Sequence, residues 1–186
     1  MDNRPIGVFD SGIGGLTVVD ALAKRLPEET IIYVGDTARV PYGNKSKNRI
    51  QQYAQEITAW LSKEDCKIII VACNTASALA LKYLKSTFSM PIIGVIESGV
   101  NKGIQMSQNN KIAVLGTSAT IRSNAYGERI KSVKPEAFVI SKACPLFVPL
   151  AEEGWTEGKI PSQIADHYLA GIKKGGIDTV ILGCTH

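Results

Sequence analysis

Residues 67–72 have the sequence Lys-Ile-Ile-Ile-Val-Ala, and this run is the most diagnostic stretch of the chain. Its four central residues are all β-branched, and a continuous run of this kind is typical of a parallel strand buried on both faces. A strand buried on both faces needs helices on both sides of its sheet. We therefore predict an α/β protein.

Short apolar strands and helical stretches alternate on both sides of this run. The predicted strands cover residues 5–9, 30–34, 67–72, 91–95, 111–115, 137–141 and 179–182. The predicted helices cover residues 14–25, 48–63, 75–87, 118–131 and 161–174. This order favours a doubly wound α/β architecture with parallel strands.

The two halves of the chain resemble each other. The first half opens with Ile-Gly-Val-Phe-Asp-Ser at residues 6–11, and the second with Ile-Ala-Val-Leu-Gly-Thr at residues 112–117. Each half later has an apolar strand that ends in a cysteine, Cys73 or Cys184. We predict two similar doubly wound α/β domains, over residues 1–97 and 98–186, with the active site in the cleft between them. The chain ends directly after an apolar run, so we expect the first domain to lack its C-terminal part.

The composition is that of an ordinary globular protein and excludes a disordered chain, since 45% of the 186 residues are hydrophobic and 20% are charged. The net charge of +4 comes without a basic cluster, so we expect no nucleic-acid partner. No apolar run approaches the roughly 18 residues of a membrane helix, and the N-terminus has no apolar signal segment. We therefore expect a cytoplasmic protein without a membrane partner.

The chain has four cysteines, Cys66, Cys73, Cys144 and Cys184. They form no C-x-x-C motif and no paired ligand spacing, so no metal site is predicted. Cys66 and Cys144 fit the role of small buried hydrophobic residues. Cys73 and Cys184 differ because each follows a strand at its carboxyl end, where open α/β sheets bind ligands, and because their neighbours are polar.

Two thiols on opposite sides of one small ligand suit a proton transfer that inverts a carbon centre. One thiolate removes a proton and the opposite thiol delivers another, and exchanging the roles reverses the reaction. Cys73 precedes a predicted helix, whose N-terminal end favours a thiolate. His186 lies two residues after Cys184 and points the same way on an extended segment. A disulfide oxidoreductase would instead need two thiols in contact.

The loop of residues 10–15, Asp-Ser-Gly-Ile-Gly-Gly, offers backbone N–H groups to an anion. It lacks the G-x-G-x-x-G spacing and its Asp10 would repel a phosphate, so a carboxylate or amino-acid ligand fits better than a nucleotide. Three alternatives stay open: a phosphate- or nucleotide-binding module, a non-catalytic protein with an amino-acid pocket, and a simple helix cap at residues 10–11. Residues 35–43 form a further loop at a strand end, where function is often found.

Four motifs taken together resemble the signatures of the bacterial glutamate racemases, in the aspartate/glutamate racemase family. They are Asp10-Ser11-Gly12-Ile13-Gly14-Gly15-Leu16, Pro41-Tyr42-Gly43, Cys73-Asn74-Thr75-Ala76 and Gly183-Cys184-Thr185-His186. The resemblance covers the whole chain and implies an isomerase that interconverts L- and D-glutamate without a cofactor and supplies D-glutamate for peptidoglycan in the cell wall. Aspartate or a hydantoin is the nearest alternative substrate, and a homodimer would be common in the family.

The resemblance also implies the role of individual residues. Cys73 and Cys184 would be the two catalytic acid/base groups, and Asp10, Glu152 and His186 would assist the proton transfers. The implied substrate-binding residues are Asp10, Ser11, Pro41, Tyr42, Gly43, Asn74, Thr75, Thr117, Thr185 and His186. Family members continue for several tens of residues past the Cys-Thr-His motif, so by this resemblance the chain is a C-terminally truncated member.

Overall fold

The computed structural model describes residues 2–186, which divide into two compact units. One unit extends to Val95 and includes Thr185, and the other extends from Ile96 to Cys184 and includes His186. The predicted boundary after residue 97 stays a prediction. Within residues 2–186, no helix combines the length and the apolar character needed to cross a membrane.

The first unit is built on a four-stranded sheet. Its strands are β1 (Ile6–Asp10), β2 (Ile31–Gly35), β3 (Ile68–Val71) and β4 (Ile92–Gly94). Its helices are α1 (Leu16–Arg25), α2 (Lys47–Lys63), α3 (Asn74–Leu79) and α4 (Leu81–Thr87), with a short 3₁₀ helix at Tyr42–Asn44. All strands are parallel in the order β2-β1-β3-β4. The order reverses between β1 and β3, which makes their carboxyl ends the expected ligand site.

Strand β3 is buried on both faces, as its sequence predicts. Ile69 and Val71 pack into a core with residues of α2, α3 and α4. Ile70 and the adjoining Ala72 pack on the opposite face, against residues of α1. Because successive side chains of a strand point to opposite faces, a strand between two helical layers must be apolar at every position.

The second unit is built on a three-stranded parallel sheet in the order β6-β5-β7. Its elements are α5 (Ile96–Met106), β5 (Lys111–Gly116), α6 (Ser118–Arg122), α7 (Ala125–Val133), β6 (Phe138–Ala143), α8 (Phe147–Glu152), α9 (Lys159–Lys174) and β7 (Thr179–Gly183). On one face of β5, Ala113 and Leu115 pack with Tyr168 and Ile172 of α9. Helix α5 packs closely on β7 at Gly103, where an added Cβ would lie 2.6 Å from Ile181 Cδ1.

The predicted α/β architecture is confirmed, and the structure differs from the prediction in the helices. Helices α5 and α8 were not predicted. The predicted helix 75–87 is interrupted at Ala80, and the predicted helix 118–131 is interrupted at Asn124, whose φ is 56°. Asparagine tolerates this left-handed conformation better than most residues, so it can end one helix and start another.

The two sheets place matching residues in matching register. In the first unit Phe9 pairs with Val71, and in the second Leu115 pairs with Leu182. Two positions further along, the same registers bring Ser11 beside Cys73 and Thr117 beside Cys184. Each unit therefore has a hydroxyl residue and a cysteine at its strand switch point, which supports the internal repeat found in the sequence.

Candidate active site

Cys73 lies between β3 and α3 and is almost fully buried. Its Sγ lies 3.6 Å from Ser11 Oγ, in the geometry of a hydrogen bond to that oxygen. Cys73 also caps α3, because its Sγ accepts a hydrogen bond from the Ala76 N–H at 3.5 Å. An N–H directed at the sulfur at a helix start favours the negatively charged thiolate. The adjacent Asn74 and Thr75 form the first turn of α3 and are buried as well.

Asp10 is fully buried at the end of β1. Its Oδ2 accepts hydrogen bonds from the backbone N–H groups of Gly12 at 3.0 Å and Gly15 at 3.2 Å. The loop wraps so tightly that a Cβ at Gly15 would lie 2.5 Å from Asp10 Cβ. The carboxylate of Asp10 thus accepts the N–H groups that, from the sequence, were expected to bind an external anion.

Tyr33 of β2 contacts the loop of residues 10–15, although no sequence motif indicated it. Its hydroxyl donates a 2.7 Å hydrogen bond to the carbonyl of Gly12, on the same loop. Burial, together with the nearby Asp10, raises the pKa of Tyr33 to about 12, so the hydroxyl stays a donor. A lone polar aromatic residue two positions before the end of a strand is the signal that could have indicated this contact.

Residues 41–43, Pro-Tyr-Gly, form a turn, and Tyr42 is its only residue with a polar side chain. Tyr42 is 1% exposed, and its hydroxyl donates a hydrogen bond to Asp36 Oδ2. Burial and this hydrogen bond raise the pKa of Tyr42. The Tyr42 hydroxyl is therefore bonded within the protein, to an aspartate that was not among the predicted site residues.

In the second unit, the structure brings Cys184, His186 and Glu152 together. Cys184 Sγ lies 4.0 Å from His186 Nδ1, and His186 Nε2 lies 2.5 Å from Glu152 Oε1 at the end of α8. Hydrogen bonding to Cys184 raises the pKa of His186 to about 9, and Glu152 adds to this effect, while burial opposes it. The imidazole is therefore protonated at neutral pH, between a thiol and a carboxylate.

A cavity of about 70 Å³ opens beside this group. Its polar lining comes from Thr117, Cys184 and His186, and the rest of its wall is Leu115, Gly116, Cys144, Phe147, Val148, Leu182 and Gly183. Thr117 caps α6 and accepts the Thr120 N–H at 3.2 Å. A few polar groups in a mostly apolar wall are typical of a small-molecule site. Thr185 follows Cys184 and is half-buried.

Cys144 lines the same cavity, which the sequence did not indicate. It is buried, and burial raises its pKa. Cys144 follows β6 and Cys184 follows β7, on opposite sides of β5. Two strand spacings separate them by about 10 Å, which is too far for a disulfide. Within residues 2–186, no group of three or more His, Cys, Asp or Glu side chains is placed to hold a metal ion.

Fold and site together define an α/β enzyme with a thiol at the switch point of each sheet. Comparison with known families identifies it further, because the family described as Asp/Glu/Hydantoin racemase matches residues 11–186. The chain belongs to this family. The resemblance to the family, inferred from sequence motifs, and the α/β fold, inferred from the alternation of strands and helices, are thereby confirmed.

Individual relatives agree with this assignment. The glutamate racemase of Geobacter metallireducens is 51% identical over 183 residues, which cover 98% of this chain and 68% of the relative. A crystal structure of a glutamate racemase isoform from Bacillus anthracis matches with a TM-score of 0.96 and 39% identity, over 100% of this chain and 70% of that one. The Francisella tularensis glutamate racemase, in complex with D-glutamate, matches with a TM-score of 0.93 and 46% identity, over 100% of this chain and 70% of that one.

Proposed function

We propose that this chain is an amino-acid racemase that interconverts L- and D-glutamate by proton transfer at the α-carbon. The observation that carries the proposal is the matched pair of cysteines, each beside a hydroxyl residue at the switch point of its own sheet. The names of the relatives support glutamate as the substrate, rather than aspartate or a hydantoin.

The proposed reaction uses the two thiols in opposite states. Cys73, as a thiolate, takes the α-proton of one enantiomer, and Cys184, as a thiol, delivers a proton to the opposite face of the same carbon. The carbon loses one proton and gains one, and the negative charge passes from Cys73 to Cys184. The reverse reaction exchanges the two roles, so both sulfurs must be able to change protonation state near the working pH.

The neighbours of each thiol support these states. At Cys73, the Ala76 N–H donates to the sulfur and the Ser11 hydroxyl lies beside it. Asp10 assists by holding the loop that carries Ser11. At Cys184, the protonated His186 stabilises a thiolate and can return a proton to it, while Glu152 holds the imidazole.

The remaining residues of the proposed site bind the substrate. Hydroxyl and amide groups suit the two carboxylates of glutamate, and fixed donors also stabilise the charge that develops as the α-proton leaves. We assign substrate binding to a set in which the members with such donors hold the carboxylates, whereas the acceptor carboxylate of Asp10 suits the ammonium group of the substrate. The set is Asp10, Ser11, Pro41, Tyr42, Gly43, Asn74, Thr75, Thr117, Thr185 and His186. A phosphate-binding module is disfavoured, because the N–H groups of Gly12 and Gly15 already bond to the buried carboxylate of Asp10.

Supply of D-glutamate for peptidoglycan is the general role of this enzyme family. We extend that role to this chain, together with a cytoplasmic location and a homodimeric state. The substrate is a small molecule, and the proposal requires neither nucleic acid nor membrane as a partner.

The test of this function is the loss of racemisation on removal of either thiol. Cys73→Ser and Cys184→Ser should each lower kcat by a factor of about 100 to 10,000, the range for loss of an acid/base group. In D₂O, each variant should lose α-proton exchange mainly with one enantiomer. Cys66→Ala is the matched control, because Cys66 is a buried core residue outside the site.

Racemisation at the wild-type rate in either serine variant would contradict the two-base reaction. Faster turnover of aspartate than of glutamate would leave the reaction class intact but overturn the assigned substrate. Thermal protection by ATP and not by glutamate would favour the nucleotide-binding alternative.

A further inference from the structure

Asp36 is a buried acidic residue to which the proposed reaction gives no role. It follows β2 directly, and its N–H donates a 3.0 Å hydrogen bond to the carbonyl of Asp10. Asp36 is 8% exposed. Its carboxylate thus lies one strand away from the Asp10–Ser11 corner, at the edge of the sheet where ligands bind.

The carboxylate of Asp36 has two partners on its own loop. Tyr42 donates its hydroxyl to Asp36 Oδ2, and Arg39 Nε lies 2.7 Å from the same oxygen. A charge that is removed from water is costly unless it is paired, and here the pairing is complete. Because the Tyr42 hydroxyl is bound to Asp36, the substrate contacts of the turn at residues 41–43 must come from other groups, chiefly its main chain.

Arg39 connects Asp36 and Tyr42 to helix α2 of the first unit. Its Nη1 lies 2.5 Å from Glu56 Oε2 of α2, and its guanidinium lies 4.2 Å from the centre of the Tyr53 ring. The Tyr53 ring in turn packs on the Tyr42 ring, with centroids 5.6 Å apart. Both ends of the turn-bearing loop are therefore fixed, one by the strand β2 and the other by the helix α2.

We propose that Asp36 and Arg39 are positioning residues for the substrate, which hold the turn at residues 41–43 through the Tyr42 hydroxyl. The inference rests on the proposed function, and it adds two residues that would set the affinity for glutamate without touching it. A turn that is already held in one conformation binds the substrate without a further loss of conformational entropy. A released turn would have to be ordered at each binding event.

The test compares Asp36→Asn, Tyr42→Phe and the double variant in the racemisation assay. Tyr42→Phe removes the hydroxyl and so breaks the anchor, whereas Asp36→Asn removes the charge and weakens it, and neither changes the side-chain volume much. We expect KM for both enantiomers to rise about tenfold, the effect of one charge-assisted hydrogen bond, and kcat to stay within about threefold. The rise in KM in the double variant should be smaller than the product of the two single effects, because both changes act on the hydrogen bond between Tyr42 and Asp36.

Arg49→Met is the matched control, because Arg49 also faces the Tyr53 ring, at 5.9 Å, but contacts Gln52 and not Asp36. Arg49→Met should leave KM unchanged, whereas Arg39→Met should raise KM. Arg39→Lys keeps the positive charge and should raise KM less than Arg39→Met does. Unchanged KM in Tyr42→Phe would overturn the inference, as would a fall in Tm without a rise in KM. If Asp36→Asn does not fold, the KM values of Tyr42→Phe and Arg39→Lys test the inference without it.

A wild-type protein that does not racemise glutamate would instead overturn the proposed function, and the inference with it.

Discussion

At the residue scale, the proposed reaction depends on how His186 is paired. Its two ring nitrogens face different groups, the thiol of Cys184 and the carboxylate of Glu152. A histidine with an acceptor on each side is held in its protonated form, which donates on both sides. In the proposed reaction, the same residue therefore stabilises a thiolate at Cys184 and supplies a proton to it.

This pairing predicts a pH-dependent contribution to stability. The pKa of His186 is raised in the folded state from 6.5 to about 9. The stabilisation is complete below the unfolded value of 6.5 and is lost as the pH rises through about 9. We expect Glu152→Gln to lower the free energy of unfolding by about 1 kcal/mol near pH 6 and to have almost no effect above pH ~9.5, a modest value since Glu152 is 35% exposed.

Urea unfolding of the two proteins at several pH values would measure this difference. Glu153→Gln is the matched control, since Glu153 is the next residue and is exposed. The same destabilisation by Glu152→Gln at both ends of the pH range would show that the carboxylate does not interact with a titrating His186.

At the element scale, the end of β2 packs directly against the loop that follows β1. Tyr33 bonds to the carbonyl of Gly12, and Gly35 lies so close to that carbonyl that an added Cβ would be 2.4 Å from the oxygen. The contact atom belongs to the backbone and cannot rotate away. The close approach of these two elements thus depends on glycine at residue 35.

We expect Gly35→Ala to lower the free energy of unfolding by about 2 kcal/mol, because the backbone must shift to admit the methyl group. KM for glutamate should rise as well, since the displaced loop carries Ser11. Gly171→Ala is the control: Gly171 lies within α9 with nothing within 4 Å of an added Cβ, and alanine there should stabilise by about 0.5–1 kcal/mol. Equal effects of the two changes in chemical denaturation would contradict the close contact.

At the scale of the whole molecule, each of the two units has a hydrophobic core of its own. The first core includes Leu84 of α4, and the second unit buries Ile130 of α7, each with no exposed surface. A unit with its own core can open locally without complete unfolding of the chain.

Large-to-small changes in these cores should therefore act locally. Leu84→Ala and Ile130→Ala should each cost about 2–5 kcal/mol in the unit that carries them. Native-state hydrogen exchange should become faster in β1 and β3 for the first variant, and in β5 and β7 for the second. Equal acceleration of exchange in both sheets by each variant would show that the chain opens only as one cooperative unit.

Much of the fold could be predicted from local patterns. The seven strands lie within about two residues of their predicted positions, because each is a short apolar run between turn residues. Helix α8 has only six residues and includes Pro149, so it presents too little periodicity to detect. The interruption at Asn124 was missed because a single left-handed residue leaves the apolar spacing of a helix almost unchanged.

The amino-acid sequence alone predicted the positions of the strands along the chain. It also predicted the internal repeat and the placement of two cysteines at equivalent strand ends. Tertiary structure decided which polar groups meet: Asp10 with its own loop, Tyr42 with Asp36, and His186 with Glu152. This is because apolar periodicity is a property of neighbours in sequence, whereas a hydrogen bond requires two atoms within about 3 Å, often from elements far apart in the chain.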